Sequence, residues 1–279
     1  MKKWKTIIEP NTSLFDFKLR ELWSYRDLCL MFIRKNYITR YKQTIFGPLY
    51  MILSPLLTSG LFSVVFGTVV GVSTDGVPDF LFYMLGNLAW SFFSNCVLDN
   101  RNTFEGNAYI MGKVYFPRLV IPIANTMTKI INLTIQYVLF IIFLVVYRCR
   151  GFVIEPNAWV VMTPFLLVML GVMGLGIGLI ASSLTVKYRD LNVVLGFAMN
   201  LFMYITPVIY PLSNLTGGWR TLALLNPVAP VIEATRYAFF GTGILSAPAL
   251  LWSVAFTFAV ALMGLLLFNK VEKNFIDTI

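Results

Sequence analysis

The feature that most constrains this chain is its alternation of long apolar runs with short charged breaks. It is clearest where Phe80 to Leu98 and Leu119 to Tyr147 flank the polar stretch DNRNTFEGNAYIMGKVYFPR, residues 99–118. The charges of Arg101, Glu105, Lys113 and Arg118, several amides and a proline directly before an arginine cannot sit in hydrocarbon, whereas the flanking runs are long and apolar enough to cross it. Residues 99–118 therefore read as an elbow between two spans. With 58% hydrophobic and 13% charged residues over 279 positions and a mean hydropathy of +0.75, the chain is too apolar for an ordinary soluble domain. An all-α, polytopic membrane protein is expected.

The runs predict six crossings: Gly47 to Val72, Phe80 to Leu98, Leu119 to Tyr147, Trp159 to Leu184, Leu191 to Tyr210 and Leu250 to Phe268. Pro48 suits a first helical turn, whereas Pro55 lies deeper and is expected to kink span one. Span three, with 29 residues, exceeds the ~20 needed to cross and is expected to tilt or to begin outside the bilayer. Lys129, about three turns in, is expected to snorkel to the near interface rather than face the bundle. Gly174, Gly178 and Ser182 recur every four residues and predict close backbone packing of span four.

The formal net charge of +9, with no histidine, would suggest nucleic acid in a soluble chain, but here its distribution matters more than its sum. Residues 1–44 hold ten of the 22 Lys and Arg, from Lys2, Lys3 and Lys5 to Arg40 and Lys42. With both ends on one side, six spans put 17 of these cations on that side and four on the other (Arg148, Arg150, Arg220 and Arg236). The positive-inside bias makes the first side cytoplasmic, although Arg148 and Arg150 run against it. Within the arm, Phe15, Leu19, Leu22, Trp23, Leu30, Ile33 and Tyr37 fall at helical spacing among charges, predicting an interfacial amphipathic helix; docking of that stripe on the bundle is the alternative. The short tail is residues 271–279. Residues 212–248 are too long for a turn and too broken for a span. They read as re-entrant helices on the outer side, with Glu233 and Arg236 three apart.

Catalysis finds little support. Cys29, Cys96 and Cys149 form no metal pattern, and without histidine the chain cannot make a His-based triad or an HExxH site. Glu155, Glu233 and Asp79 fall in outer segments, where carboxylates are normally solvated. Gly112-Lys113 continues into Val114 rather than a hydroxyl residue, so any ATP and magnesium are expected on another polypeptide. No short apolar segment with a cleavage site follows the initial Met, and retention of the N-terminus is expected. Ion-coupled transport needs ionisable groups at mid-membrane, which the spans lack beyond Lys129. The spans do offer aromatic rings, which stack on the C–H faces of sugars. Phe62, Phe66, Phe197, Phe202, Tyr204 and Tyr210 are the candidate substrate path, and Phe92 and Phe93 share the pattern; lipid-facing belts are the alternative.

Four blocks carry a family resemblance: RELWSYRDLCLMFIRKNYITRYKQTIFGPLYMILSP (Arg20 to Pro55), KVYFPR (Lys113 to Arg118), SSLTVKYRDLNVVLGFAMNLFMYITPVIYP (Ser182 to Pro211) and LNPVAPVIEATRYAFFG (Leu225 to Gly241). In order and spacing they resemble the membrane subunit of ABC-2 type polysaccharide exporters, which move lipid-linked O antigens, capsules and teichoic acids. The resemblance implies a homodimer of six-span subunits above two copies of a cytoplasmic ATPase, with the loop between spans two and three as the coupling element. Carried onto this chain, it places Thr103, Phe104, Glu105, Gly106, Asn107 and Tyr109 against the ATPase, together with Lys113, Tyr115, Phe116, Pro117 and Arg118. Lys187, Arg189 and Asp190 are expected nearby, and Trp219 to Gly241 as the outer re-entrant pair. The implied cargo is a lipid-linked glycan, O antigen first; teichoic acid, capsule, and a drug or lipid are the alternatives within the group. The polar lead from Lys2 to Ser13 matches no family role.

Overall fold

The computed structural model describes residues 19–41, 47 and 49–275. The expectations resting on Lys2 to Lys18, on Lys42, on Pro48 and on the end of the tail lie outside these residues. The order is α1 (Leu19–Ser24), α2 (Arg26–Tyr41), α3 (Leu49–Phe62), α4 (Asp79–Asn100), α5 (Ala108–Met111), α6 (Val120–Cys149), α7 (Thr163–Thr185), α8 (Leu191–Ile205), α9 (Gly218–Leu225), α10 (Ala229–Phe240) and α11 (Ala247–Phe275). No strand occurs among the described residues.

Among the described residues, five helical segments are long and apolar enough to cross a membrane: Leu49–Val69, Asp79–Asn100, Val120–Cys149, Ala158–Thr185 and Ala247–Glu272. The remaining expected crossing is α8, a shorter apolar helix of 15 residues that Thr206 ends by turning extended. Span one contains Pro55, yet its marked irregularity lies further on, where Ser63–Val69 widens into a π-helix. A Cβ at Gly67 within that stretch would fall 2.3 Å from the Asp79 carboxylate, so only glycine lets the widened turn lie against the start of span two. The 30 residues of α6 would reach about 45 Å, more than a hydrocarbon core of about 30 Å, so the helix must tilt or project beyond it. Arg148 sits in its last turn, where the helix dipole favours a cation even on the side the charge bias disfavours.

Span four is the centre of the bundle because glycine opens two of its faces. A Cβ at Gly174 or Gly178 would fall 2.7 or 2.6 Å from Cys96 and Asn100 on span two, while one at Gly176 would meet the Ala261 backbone of α11 at 2.9 Å. Gly264 returns the contact, 2.6 Å from the Gly176 carbonyl. The spacing of Gly174 and Gly178 foretold the first face; Gly176, two residues from each and so on the opposite side of the helix, makes the second.

Two expectations about charge are corrected. Lys129 does not snorkel: its side chain is 3% exposed and pairs with Asp99 at the end of span two. Glu233 is not a solvated outer carboxylate but is fully buried, as is Arg236. The amphipathic arm docks part of its apolar stripe on the bundle. Phe32 and Cys29 face the bundle with Leu22 and Ile33, whereas Trp23, Leu30 and Met31 stay exposed.

Candidate functional site

The elbow folds as one turn of 3-10 helix, Glu105–Asn107, running into α5. Its residues divide sharply by burial. Thr103 is buried and its hydroxyl donates to the Asn100 carbonyl at 2.7 Å, closing the end of span two, and Asn107 caps back onto the Thr103 carbonyl at 3.0 Å. Phe104 is buried and stacks on Phe268 of α11 with centroids 4.5 Å apart. Phe116 is buried 6.0 Å from the Phe32 ring of α2, and Arg118 donates to the Glu272 carbonyl at 2.7 Å. Burial lowers the Arg118 pKa from its ordinary value, with Glu272 acting in the opposite sense. Pro117 is half-buried between these two anchors.

The rest of the elbow points outward. Glu105, Gly106, Tyr109, Lys113 and Tyr115 are exposed; the Lys113 ammonium lies 3.8 Å from the Tyr109 ring centre and donates to its hydroxyl. Lys187, Arg189 and Asp190 are exposed in the turn before α8. That turn is joined to the elbow through Glu105, whose carboxylate accepts from Asn192 at 3.0 Å, and through Thr185, whose hydroxyl donates to the Arg101 carbonyl at 3.0 Å. The exposed elbow is thus a small platform carrying aromatic and charged groups; its buried underside touches α2 and α11, and its exposed Glu105 reaches α8.

The aromatic candidates do not gather into one wall. Phe62 and Phe66 lie 5.7 Å apart and each packs 6.4 Å from Tyr83 on span two. Phe197, Phe202 and Tyr204 are exposed along α8, and Tyr210 turns its hydroxyl back to the Ile205 carbonyl at 2.7 Å. Large parts of α3 and α8 are uncovered, including Leu57, Leu61 and Val64 on one and Val193 and Leu201 on the other.

At the opposite end, sequence reasoning missed a buried clasp. Arg236 donates to Glu233 at 2.8 Å, to the Val208 carbonyl at 2.8 Å and to the Tyr210 carbonyl at 3.3 Å, while its guanidinium lies 3.8 Å from the Phe82 ring centre. The other Glu233 oxygen accepts from the Ile244 amide at 3.2 Å. One ion pair therefore ties α10 to span two, to the segment after α8 and to the lead into α11. The available signal was a Glu and an Arg three apart in a helix with no other charge, closed by Gly241 at φ +69°. Beside it, Ser213 donates to the Asp75 carboxylate at 2.8 and 2.7 Å, joining the segment after span one to the segment after α8.

The model of the ABC-2 type transporter family matches residues 27–240. The O-antigen export system permease protein RfbA of Klebsiella pneumoniae is 28% identical over 252 residues, covering 90% of this chain and 94% of that protein. RfbA of Myxococcus xanthus is 25% identical, covering 94% and 98%. The polysialic acid transport protein KpsM of Escherichia coli is 24% identical, covering 84% and 90%. Matched from its second helix to the clasp, this multi-pass membrane chain belongs to the ABC-2 type transporter family.

Proposed function

We propose that this chain is the membrane subunit of an ATP-driven exporter that carries a lipid-linked polysaccharide, O antigen first, across the cytoplasmic membrane. The observation that carries the reading is the two-sided elbow: an exposed platform of Glu105, Tyr109, Lys113 and Tyr115 that stands on buried anchors reaching α2 and α11 and touches α8 through Glu105. A push on such a platform moves three elements at once. ATP and magnesium belong to a separate cytoplasmic ATPase, two copies of which grip two copies of this subunit, with Lys187, Arg189 and Asp190 completing the contact. The Lys and Arg bias supports cytoplasmic termini and six spans, with α8 and the segment to Tyr210 as the fifth. The uncovered apolar faces of α3 and α8 support pairing of two copies around a shared path. A re-entrant α10 is supported by its contact with Gly86, seven residues into span two, because Arg236 would lie 3.1 Å from a Cβ there.

In this mechanism closure of the ATPases presses the elbow, and spans one and five part at the cytoplasmic end. Their outer ends stay joined through Asp75 and Ser213, which act as the hinge. Sugar rings pass along Phe197, Phe202 and Tyr204, with Phe62, Phe66 and Tyr210 as the alternate aromatic contacts. O antigen is favoured because both RfbA relatives align over 90% or more of this chain. Polysialic acid transport by KpsM keeps capsule as the second reading; teichoic acid, and a drug or lipid, follow.

The test is to purify the chain under mild conditions and identify what comes with it. An ATPase bearing a carbohydrate-binding domain, with export restored in a complementation assay, is the expected result. Transport by the chain without any ATPase would overturn the reading in favour of a secondary transporter.

A further inference from the structure

A cavity of about 420 Å³ lies at the elbow end of the bundle, between α2, the end of α4 and the start of α6. Each helix gives it polar side chains: Lys35, Asn36 and Thr39 from α2, Asp99 and Asn102 from the turn out of span two, and Asn125 and Thr128 from α6. We propose that it holds the headgroup of an anionic, polyhydroxylic phospholipid, a glycerol phosphodiester, drawn from the leaflet on that side.

The charges set the class of ligand. Asp99 is matched by Lys129 beneath it, so that pair is neutral. The Lys35 ammonium lies 5.7 Å from the Phe32 ring centre and, among the described residues, has no carboxylate partner. The cavity therefore offers one net positive charge, which a phosphodiester neutralises with a charge-assisted hydrogen bond. A pyrophosphate would bring a second negative charge toward Asp99, and a choline or ethanolamine headgroup would bring a cation toward Lys35.

The remaining groups suit hydroxyls. Asn36 donates to Asn125 at 2.8 Å and Asn125 to the Asp99 carbonyl at 3.4 Å, which fixes the amides while leaving further donor and acceptor sites on each. The Thr128 hydroxyl donates to the Ala124 carbonyl at 2.8 Å and keeps its acceptor side. Asn102 and Thr39 are exposed and make no side-chain hydrogen bond among the described residues. No aromatic side chain lines the cavity to stack a nucleotide base.

The surroundings say that the ligand has a lipid tail. Met127 and Ile131, either side of Thr128 on α6, are exposed apolar side chains, as are Leu30 and Met31 on α2. A polar cup lined also by Leu98, with exposed apolar side chains elsewhere on the same helices, matches a headgroup and its acyl chains. Bound there, the lipid would fasten α2 and the base of the elbow to the membrane surface. Only the choice of leaflet rests on the exporter reading.

The experiment is native mass spectrometry of the purified full chain after incubation with equimolar phosphatidylglycerol and phosphatidylethanolamine of the same acyl composition. The wild-type chain is expected to retain phosphatidylglycerol about tenfold over phosphatidylethanolamine. Lys35→Gln and Asn102→Leu are each expected to bring that ratio near one without lowering the melting temperature. Equal retention of the two lipids by the wild type, or an unchanged ratio in both variants, overturns the proposal. Displacement of the lipid by equimolar glycerol 1-phosphate overturns the lipid source in favour of a soluble phosphate ester. ATPase co-purification from the same preparation separates the two readings: lipid selectivity lost with the ATPase retained counts against the cavity alone, and the reverse counts against the exporter alone.

Discussion

The elbow and the outer clasp look alike in sequence, each a short charged stretch with proline and glycine between apolar runs, yet they use charge in opposite ways. The clasp buries Glu233 and Arg236 completely, hydrogen-bonds them to two other segments and sets the guanidinium against the Phe82 ring of span two. The elbow keeps Glu105, Lys113 and, beyond it, Lys187 and Arg189 exposed, and buries aromatic rings beside Arg118. A buried pair holds segments together only while both partners remain, because the survivor of a broken pair is an uncompensated charge. An exposed charge contributes little to stability and is available to a partner. The clasp is therefore built as a fixed point, and the elbow is, in the proposed reading, a contact surface.

The largest effect is expected where that contrast is broken at the clasp. Arg236→Met or Glu233→Leu alone should cost about 3–5 kcal/mol and remove the folded fraction in a detergent thermal-shift assay. The double variant should be less harmful than Glu233→Leu alone, since no unpaired cation then remains in the core. Equal damage from single and double variants would mean that the pair acts through packing rather than charge.

Next come the buried supports of the elbow. Phe104→Ala and Phe116→Ala each empty a ring-sized space and should cost about 3 kcal/mol by the same assay. Truncating Phe116 together with Tyr115 is thus a poor test of partner contact, because only Tyr115 is exposed. A milder loss, about 1 kcal/mol, is expected for Asn157→Ala, whose amide donates to the Tyr237 carbonyl at 2.8 Å and steadies the clasp helix from outside. The smallest change in stability, within about 0.5 kcal/mol, is expected for Tyr109→Ala and Tyr115→Ala, yet these should abolish ATPase co-purification. Retained association in the Tyr109 and Tyr115 variants would remove the platform from the contact.

The sequence made the long crossings legible because length and hydropathy suffice for helices that must satisfy their own backbone in lipid. Gly174 and Gly178 announced a packing face for the same local reason. What could not be read were partners distant in the chain. Lys129 finds Asp99 thirty residues earlier, and nothing local to Lys129 distinguishes that pairing from snorkelling. Glu233 is buried because span two and the lead into α11 close over it, a tertiary fact that overrides the usual fate of an outer carboxylate. In the elbow, Tyr115 and Phe116 are adjacent aromatics of similar size, and only the fold shows that one faces out and the other meets Phe32. The arm misled for a related reason: Trp23 and Leu30 fit a helical stripe, but α2 turns Phe32 and Cys29 inward instead.

The central claim is that the exposed half of the elbow faces the cytosol, where a nucleotide-driven partner can reach it. It is tested most directly by Lys113→Cys in a chain also carrying Cys29→Ser and Cys149→Ser, treated with a membrane-impermeant maleimide in intact spheroplasts and in inverted vesicles. Cys96 stays in place because it is fully buried. Labelling confined to inverted vesicles, and blocked when the ATPase is bound, is the predicted result; labelling confined to intact spheroplasts would contradict the account.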